Sequence, residues 1–137
     1  MSEQQRQETH LHATAKAIFE SMIEAANRHD LEAMVACFAP DYHGELPFTP
    51  ERNFTGQAGV RKNWGFFFST MPDFRVEIRR SAEEGDTVWA ELFFHGTQAD
   101  GTKRMMQGVN IMGIQSGKIA WGKLYQGTVS IAPDLTH

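Results

Sequence analysis

Residues 74–97 read FRVEIRRSAEEGDTVWAELFFHGT. Phe74, Val76 and Ile78 alternate with Arg75, Glu77 and Arg79, the period-two pattern of a half-buried strand. Glu84-Gly85-Asp86 supplies a turn. Thr87–Thr97 then sets Val88, Ala90, Leu92 and Phe94 on one face and Trp89, Glu91, Phe93 and His95 on the other. Ala99-Asp100-Gly101 carries the Asp-Gly hairpin signal, so the strand Lys103–Gln115 should return antiparallel. Ser116-Gly117 turns the chain again, into Lys118–Val129. Four long strands joined by short turns predict an antiparallel meander.

Upstream of this stretch the period changes. Leu11, Ala15, Ile18, Phe19, Met22 and Ala26 form one apolar stripe, predicting a long helix over about residues 9–28. Asp30 reads as an N-cap, and Leu31, Met34, Val35 and Phe38 predict a short second helix that Pro40 stops. Residues 41–55, with Gly44, Pro47 and Pro50, read as a loop holding a short extended piece at Tyr42-His43. Thr55-Gly56 opens a third helix striped by Val60, Trp64, Phe67, Phe68 and Met71, and Pro72 ends it. Phe66 cannot share that stripe and should point elsewhere. Helices and strands are segregated along the chain, so the class is α+β and not a parallel βαβ sheet. Residues 1–8 are expected to be a frayed N-terminus, 9–130 a single domain and 131–137 a tail.

Composition narrows the function. The 137 residues suit one core, burying roughly two-thirds of the unfolded surface. Thirteen Lys and Arg against 17 Asp and Glu give a net charge of −4. The basic clusters are only pairs, such as Arg79-Arg80 and Lys103-Arg104, so nucleic acid is not an expected partner. No stretch of about 18 apolar residues offers a membrane span. The N-terminal MSEQQRQETH lacks the apolar run of a signal peptide, and one cysteine, Cys37, cannot form an internal disulfide. These features predict a cytoplasmic protein. Ten Phe, three Trp and two Tyr are many rings for a small core, so either the core is unusually aromatic or some rings line a pocket.

Several phrases carry a resemblance. The run DLEAMVACFAPDY at 30–42 resembles the second helix of the nuclear transport factor 2-like superfamily. Gly56 before a helix, Met71-Pro72-Asp73-Phe74 leading into a strand, and Gly117-Lys118-Ile119 opening the last strand resemble its SnoaL-like polyketide cyclase branch. Asn63-Trp64 and Trp121-Gly122-Lys123-Leu124-Tyr125 look closest to a bacterial subgroup of that superfamily without assigned activity. The resemblance spans roughly residues 10–130. It implies a cone-shaped α+β barrel, in which a curved antiparallel sheet wraps around the helices and the cone serves as a small-molecule pocket. It implies a homodimer paired through the outer face of the sheet, and no cofactor. The branch typically carries an acidic general acid/base in the cone, and many relatives have an acid near the end of the last strand. Lys123-Leu124-Tyr125-Gln126-Gly127 has none there. The Asp-Arg-Asp group of the epoxide hydrolases is not matched either.

Candidate chemistry follows from placing polar residues on the strands of such a cone. Glu91 lies in an apolar mid-strand segment, where desolvation would raise its pKa toward that of a neutral-pH acid or base. Its bland alternative is a solvated or interface carboxylate paired with Lys123 or Arg104. His43, after Tyr42 at the cone mouth, is a candidate proton shuttle, or else a hydrogen-bonded loop histidine. His43 and Glu91 are thus the expected proton handlers. Asn110, Lys123 and Tyr125 would hold or polarise a carbonyl, with Tyr42, Trp64, Phe68 and Trp121 lining the ligand; the alternative for Asn110 is a cross-strand hydrogen bond. On the last strand Ile119, Trp121, Lys123 and Tyr125 share one face and Ala120, Gly122 and Leu124 the other, and the sequence leaves open which is inward. His10 and His12 are two apart on a helix and do not share a face, and no His, Cys, Asp and Glu spacing matches a metal site. Cys37 reads as a small buried hydrophobe. The expected function is binding of a small, largely apolar molecule, with cofactor-free isomerisation, cyclisation or dehydration of a carbonyl compound. The alternatives are a non-catalytic ligand-binding or dimeric scaffold protein, or a purely structural module, which a cavity too small for a ligand would favour.

Overall fold

The computed structural model describes residues 14–129. The expected leader 1–8, the tail 131–137 and the residues Leu11, His10 and His12 lie outside them. Helix α1 spans Ala15–Asn27, and Thr14 caps it by accepting a hydrogen bond from the Ala17 N–H at 3.0 Å. Its buried stripe is Ala15, Phe19, Met22, Ile23 and Ala26. Asn27 fastens the end of α1 to the sheet: its amide donates to Val76 O at 3.0 Å and accepts from Val76 N at 2.8 Å. Helix α2 covers Leu31–Val35, with Asp30 accepting from the Ala33 N–H at 3.1 Å. Helix α3 covers Gly56–Thr70 and buries Val60, Trp64 and Phe67, while Phe66 is 53% exposed.

The strands are β1 (Phe38–Glu45), β2 (Phe54–Thr55), β3 (Arg75–Glu84), β4 (Thr87–Thr97), β5 (Lys103–Gln115) and β6 (Lys118–Thr128). They form one curved sheet in the order β2-β1-β6-β5-β4-β3. β3 to β6 make the antiparallel meander. The sheet stays unclosed, with β2 and β3 as its edges. The fold is mixed α+β, with the helices packed into the concave side of the sheet.

Two expectations change. First, residues 38–45 form a full strand where a helix end and a loop with a short extended piece at Tyr42-His43 were expected; the extended piece lies within it, and Phe38 begins it instead of closing α2. β1 pairs β6 in parallel, so the sheet is not wholly antiparallel. The pairing register breaks between Phe38 and His43, and Pro40 sits in that break, where its missing N–H costs no ladder bond. Second, the faces of β6 do not follow simple alternation. Ile114 pairs Ile119 and Gly113 pairs Trp121, so Ala120 is an extra residue that inverts the alternation beyond it. Ile119 is fully buried; past the bulge, Gly122 and Leu124 face inward and Trp121, Lys123 and Tyr125 face outward.

The core joins the concave face of the sheet to the helices. Phe19, Met22, Phe38, Phe74, Val88, Leu92 and Ile119 are each 1% exposed or less. Burying one such side chain contributes roughly 1.5–3 kcal/mol. Stacked on this core is an aromatic cluster. Trp64 meets Phe67, Phe68, Phe74 and Phe94 with ring centroids 6.1–6.3 Å apart, and Phe67 stacks on Phe74 at 4.9 Å.

Candidate functional site

Within the cone, between α3, β1 and the inner faces of β4, β5 and β6, lies a cavity of about 20 Å³. That is room for one water molecule. Its walls are mostly rings and aliphatic side chains, Phe38, Phe54, Trp64, Phe67, Phe94, Met112 and Leu124. Its polar groups are Tyr42, Asn63, Asn110 and Gln126. Asn110 is 3% exposed, the one polar residue in the buried set among the described residues. Asn110 pairs with Leu124 and Gly108 with Gln126, so the two amides are diagonal neighbours on the inner face of β5 and β6. Asn110 Oδ1 and Gln126 Oε1 are both buried with no hydrogen-bond partner among the described residues. An acceptor left without any partner costs on the order of 1–3 kcal/mol, and the cavity has room for a water that could serve these two.

The electrostatics of this site are neutral. No Asp, Glu, His, Lys or Arg lines the cavity. Its one titratable group is the Tyr42 phenol, which burial pushes well above its ordinary pKa, so it stays a neutral hydroxyl. That hydroxyl lies over Gly122, where a Cβ would come within 2.6 Å of it. Glycine at 122 thus lets the tyrosine lie flat against β6.

The expected site residues divide. Tyr42, Trp64 and Asn110 line the cavity together. Phe68 lies outside it, stacked on His29 at 4.5 Å and packed against the core. Trp121, Lys123 and Tyr125 sit on the convex face because of the Ala120 bulge, and the indole of Trp121 covers Gly113. His43 pairs across the sheet with Trp121 on that same outer face and meets Glu45 at 3.4 Å, with half its side chain exposed. Glu91 is also outside, half-exposed, and its partner is Arg80 at 3.6 Å rather than Lys123 or Arg104. β5 and β6 stand between the strands bearing His43 and Glu91. Three strand spacings, roughly 14 Å, therefore separate them. They form no acid-base pair, and neither reaches the cavity. His95 sits 3.6 Å from Glu77 on the outer face. Cys37 is half-buried, donates to Ala33 O at 3.5 Å, and has its thiol pKa pushed up by burial. No group of three metal-ligating side chains occurs among the described residues.

Gln126, Asn63 and Phe54 were not anticipated. Gln126 follows Gly122 and Leu124 at the inward period of two, a signal that becomes readable only once the bulge fixes the face. Phe54, Asn63 and Phe67 also line a surface groove of about 630 Å³ outside the cone. These three residues are the partition between groove and cavity.

The SnoaL-like domain family matches residues 19–121, three-quarters of the chain. The chain belongs to the SnoaL-like family. This SnoaL-like chain lies in the nuclear transport factor 2-like superfamily, as its sequence phrases imply. Among solved structures it is similar to IdmH, a candidate polyketide cyclase from Streptomyces antibioticus, with a TM-score of 0.72 and 21% identity over 85% of this chain and 92% of that one. It is also similar to AclR, a candidate hydroxylase from Streptomyces galilaeus (TM-score 0.70, 20% identity, 84% and 88% covered). A cystatin-fold protein from Novosphingobium aromaticivorans matches with a TM-score of 0.67 and 18% identity over 81% of the SnoaL-like chain and 97% of its own. At these identities the likeness establishes the shared fold. Comparison with curated proteins gave no match.

Proposed function

We propose that the cone binds a small, largely apolar molecule and takes its one polar group between Asn110 and Gln126. The observation that carries this reading is the pair of buried amide oxygens without partners, on adjacent strands of one cavity. A ligand hydroxyl can donate to one amide oxygen and accept from the other amide's NH₂. A ligand carbonyl is served equally well, because a half-turn of either amide presents a donor. The Tyr42 hydroxyl adds a third neutral group at the same cavity. At about 20 Å³ the cavity holds one water, the size that favours a purely structural module, so the ligand reading requires Phe54 and Phe67, the rings of the partition, to move aside.

The uncharged lining favours binding over proton transfer. A cyclase or isomerase of the usual kind needs a base beside its substrate, and the cavity offers only neutral hydrogen bonds. Polarisation of a carbonyl by Tyr42 and the amides is the chemistry this site supports. The apolar outer face supports a second proposal, that two copies pair through it. Trp121 and Tyr125 lie there with Trp89 and Phe93, and Phe48, 71% exposed, packs edge-on against Tyr125 at 5.7 Å. Light scattering should return twice the 15.5 kDa chain mass, and a monomer at micromolar concentration would remove this second proposal.

A thermal-shift comparison tests the cone reading. Cyclohexanol and cyclohexanone should raise the melting temperature, and cyclohexane should not, because binding to the native state alone stabilises it logarithmically with ligand. The double variant Asn110→Leu/Gln126→Leu should lose that response while remaining folded. Equal shifts from all three compounds, or an unchanged response in the variant, would refute the role of the amides.

A further inference from the structure

We propose that the groove outside the cone is an anion-binding subsite, in which Arg52 and Lys62 hold the carboxylate, sulfonate or phosphate of a ligand whose apolar body lies along Phe54, Phe66 and Phe67. The groove runs between the short 3₁₀ turn Pro50–Arg52, β2 and α3, and its volume of about 630 Å³ suits a small organic molecule. Its cations come from different elements, Arg52 from the turn and Lys62 from the helix. Neither makes an ion pair among the described residues. The contrast with Arg61, one residue earlier, is informative. Arg61 is bound twice by Glu32, through Nε and Nη2 at 3.0 Å each, and does not line the groove. Glu51 is the groove's one carboxylate, and it too is without an ion pair among the described residues. Two cations against one anion leave the groove net positive on a chain of charge −4.

The apolar wall is equally specific. Phe66, the exposed ring of α3, stands against Phe67 with centroids 5.9 Å apart. Phe54 lies over Gly59, where a Cβ would meet its ring at 3.0 Å. Glycine at 59 therefore lets that ring settle against α3 as a groove wall. Rings and two cations lining one groove match an amphipathic anion, with the charge gripped by the cations and the hydrophobic body sheltered by the rings. Binding in the groove does not depend on the cone reading, although the shared Phe54, Asn63 and Phe67 would let a long ligand occupy both.

The test compares 8-anilinonaphthalene-1-sulfonate with N-phenyl-1-naphthylamine, the same ring system without the sulfonate, by fluorescence titration. The sulfonate should bind at least about tenfold more tightly, and this preference should shrink as salt rises. Arg52→Ala/Lys62→Ala alters two exposed side chains and should fold as the native chain does. It should abolish the preference and leave the neutral probe's affinity unchanged. Asn110→Leu should leave both probes unaffected. Equal affinity of the two probes, or sulfonate binding indifferent to the double variant, would overturn the proposal. Loss of sulfonate binding in Asn110→Leu would also overturn it, by locating the probe in the cone.

Discussion

Tyr42 concentrates the site's physical chemistry in one side chain. Its ring meets Phe38 edge-on at 4.8 Å, and its hydroxyl stands over Gly122 inside the cavity. Burial raises its pKa above the ordinary value near 10. The unfolded chain therefore gives up the phenol proton first as pH rises, and the folded chain still holds it. This contribution to stability is complete below pH 10 and is lost above it, with a slope of up to about 1.4 kcal/mol per pH unit. Melting temperatures between pH 8 and 11 should fall more steeply for the native protein than for Tyr42→Phe. Parallel curves would show that the hydroxyl reaches solvent. The buried amides make a complementary prediction. Asn110→Leu removes an acceptor that no protein group partners, so without ligand it should match the native stability or exceed it by up to about 1 kcal/mol in urea unfolding. A loss of stability would mean that the amide is structurally employed.

At the scale of elements, Asn27 joins α1 to β3 by two part-buried hydrogen bonds to Val76. Asn27→Ala should cost about 1–3 kcal/mol, read as a shift in urea midpoint with unchanged slope. Most of the elements were legible because their signals are local. The period-two runs and the Gly85, Asp100-Gly101 and Ser116-Gly117 turns located β3 to β6, and Asp30 and Gly56 marked the starts of α2 and α3. β1 was legible only as the extended pair Tyr42-His43, because its partner β6 lies about eighty residues away and Pro40 looks like a helix stop until the break in pairing is seen. The single extra residue at Ala120 had the largest consequence. It moved Trp121, Lys123 and Tyr125 to the outer face and left Gln126, unsuspected, inside. Nothing in the local pattern of β6 distinguishes a bulge from plain alternation. Asn110 was readable as a polar residue inside an apolar strand. His43 and Glu91 were misleading for the same reason, since residue type alone says nothing about which face of a curved sheet a side chain occupies.

At the scale of the molecule, the sheet separates two chemistries. Its concave side holds an uncharged cone ending in two amides and a phenol, with a cationic, ring-walled groove beyond the partition. Its convex side carries His43 and His95, the acids paired with them and with Arg80, and an apolar patch. The many aromatic rings accordingly serve several surfaces: Phe38 and Phe74 as core, Trp64 and Phe67 as cavity wall, Phe66 as groove wall, and Trp121 and Tyr125 as outer face. The central claim is that the Asn110–Gln126 pair is where a ligand's polar group is bound. The direct measurement is titration of ¹⁵N-labelled protein with cyclohexanol, following the side-chain NH₂ resonances of Asn110 and Gln126. Both should move together and saturate at the concentration that raises the melting temperature. Saturating shifts confined to the groove or the outer face, with these two amides unmoved, would contradict it.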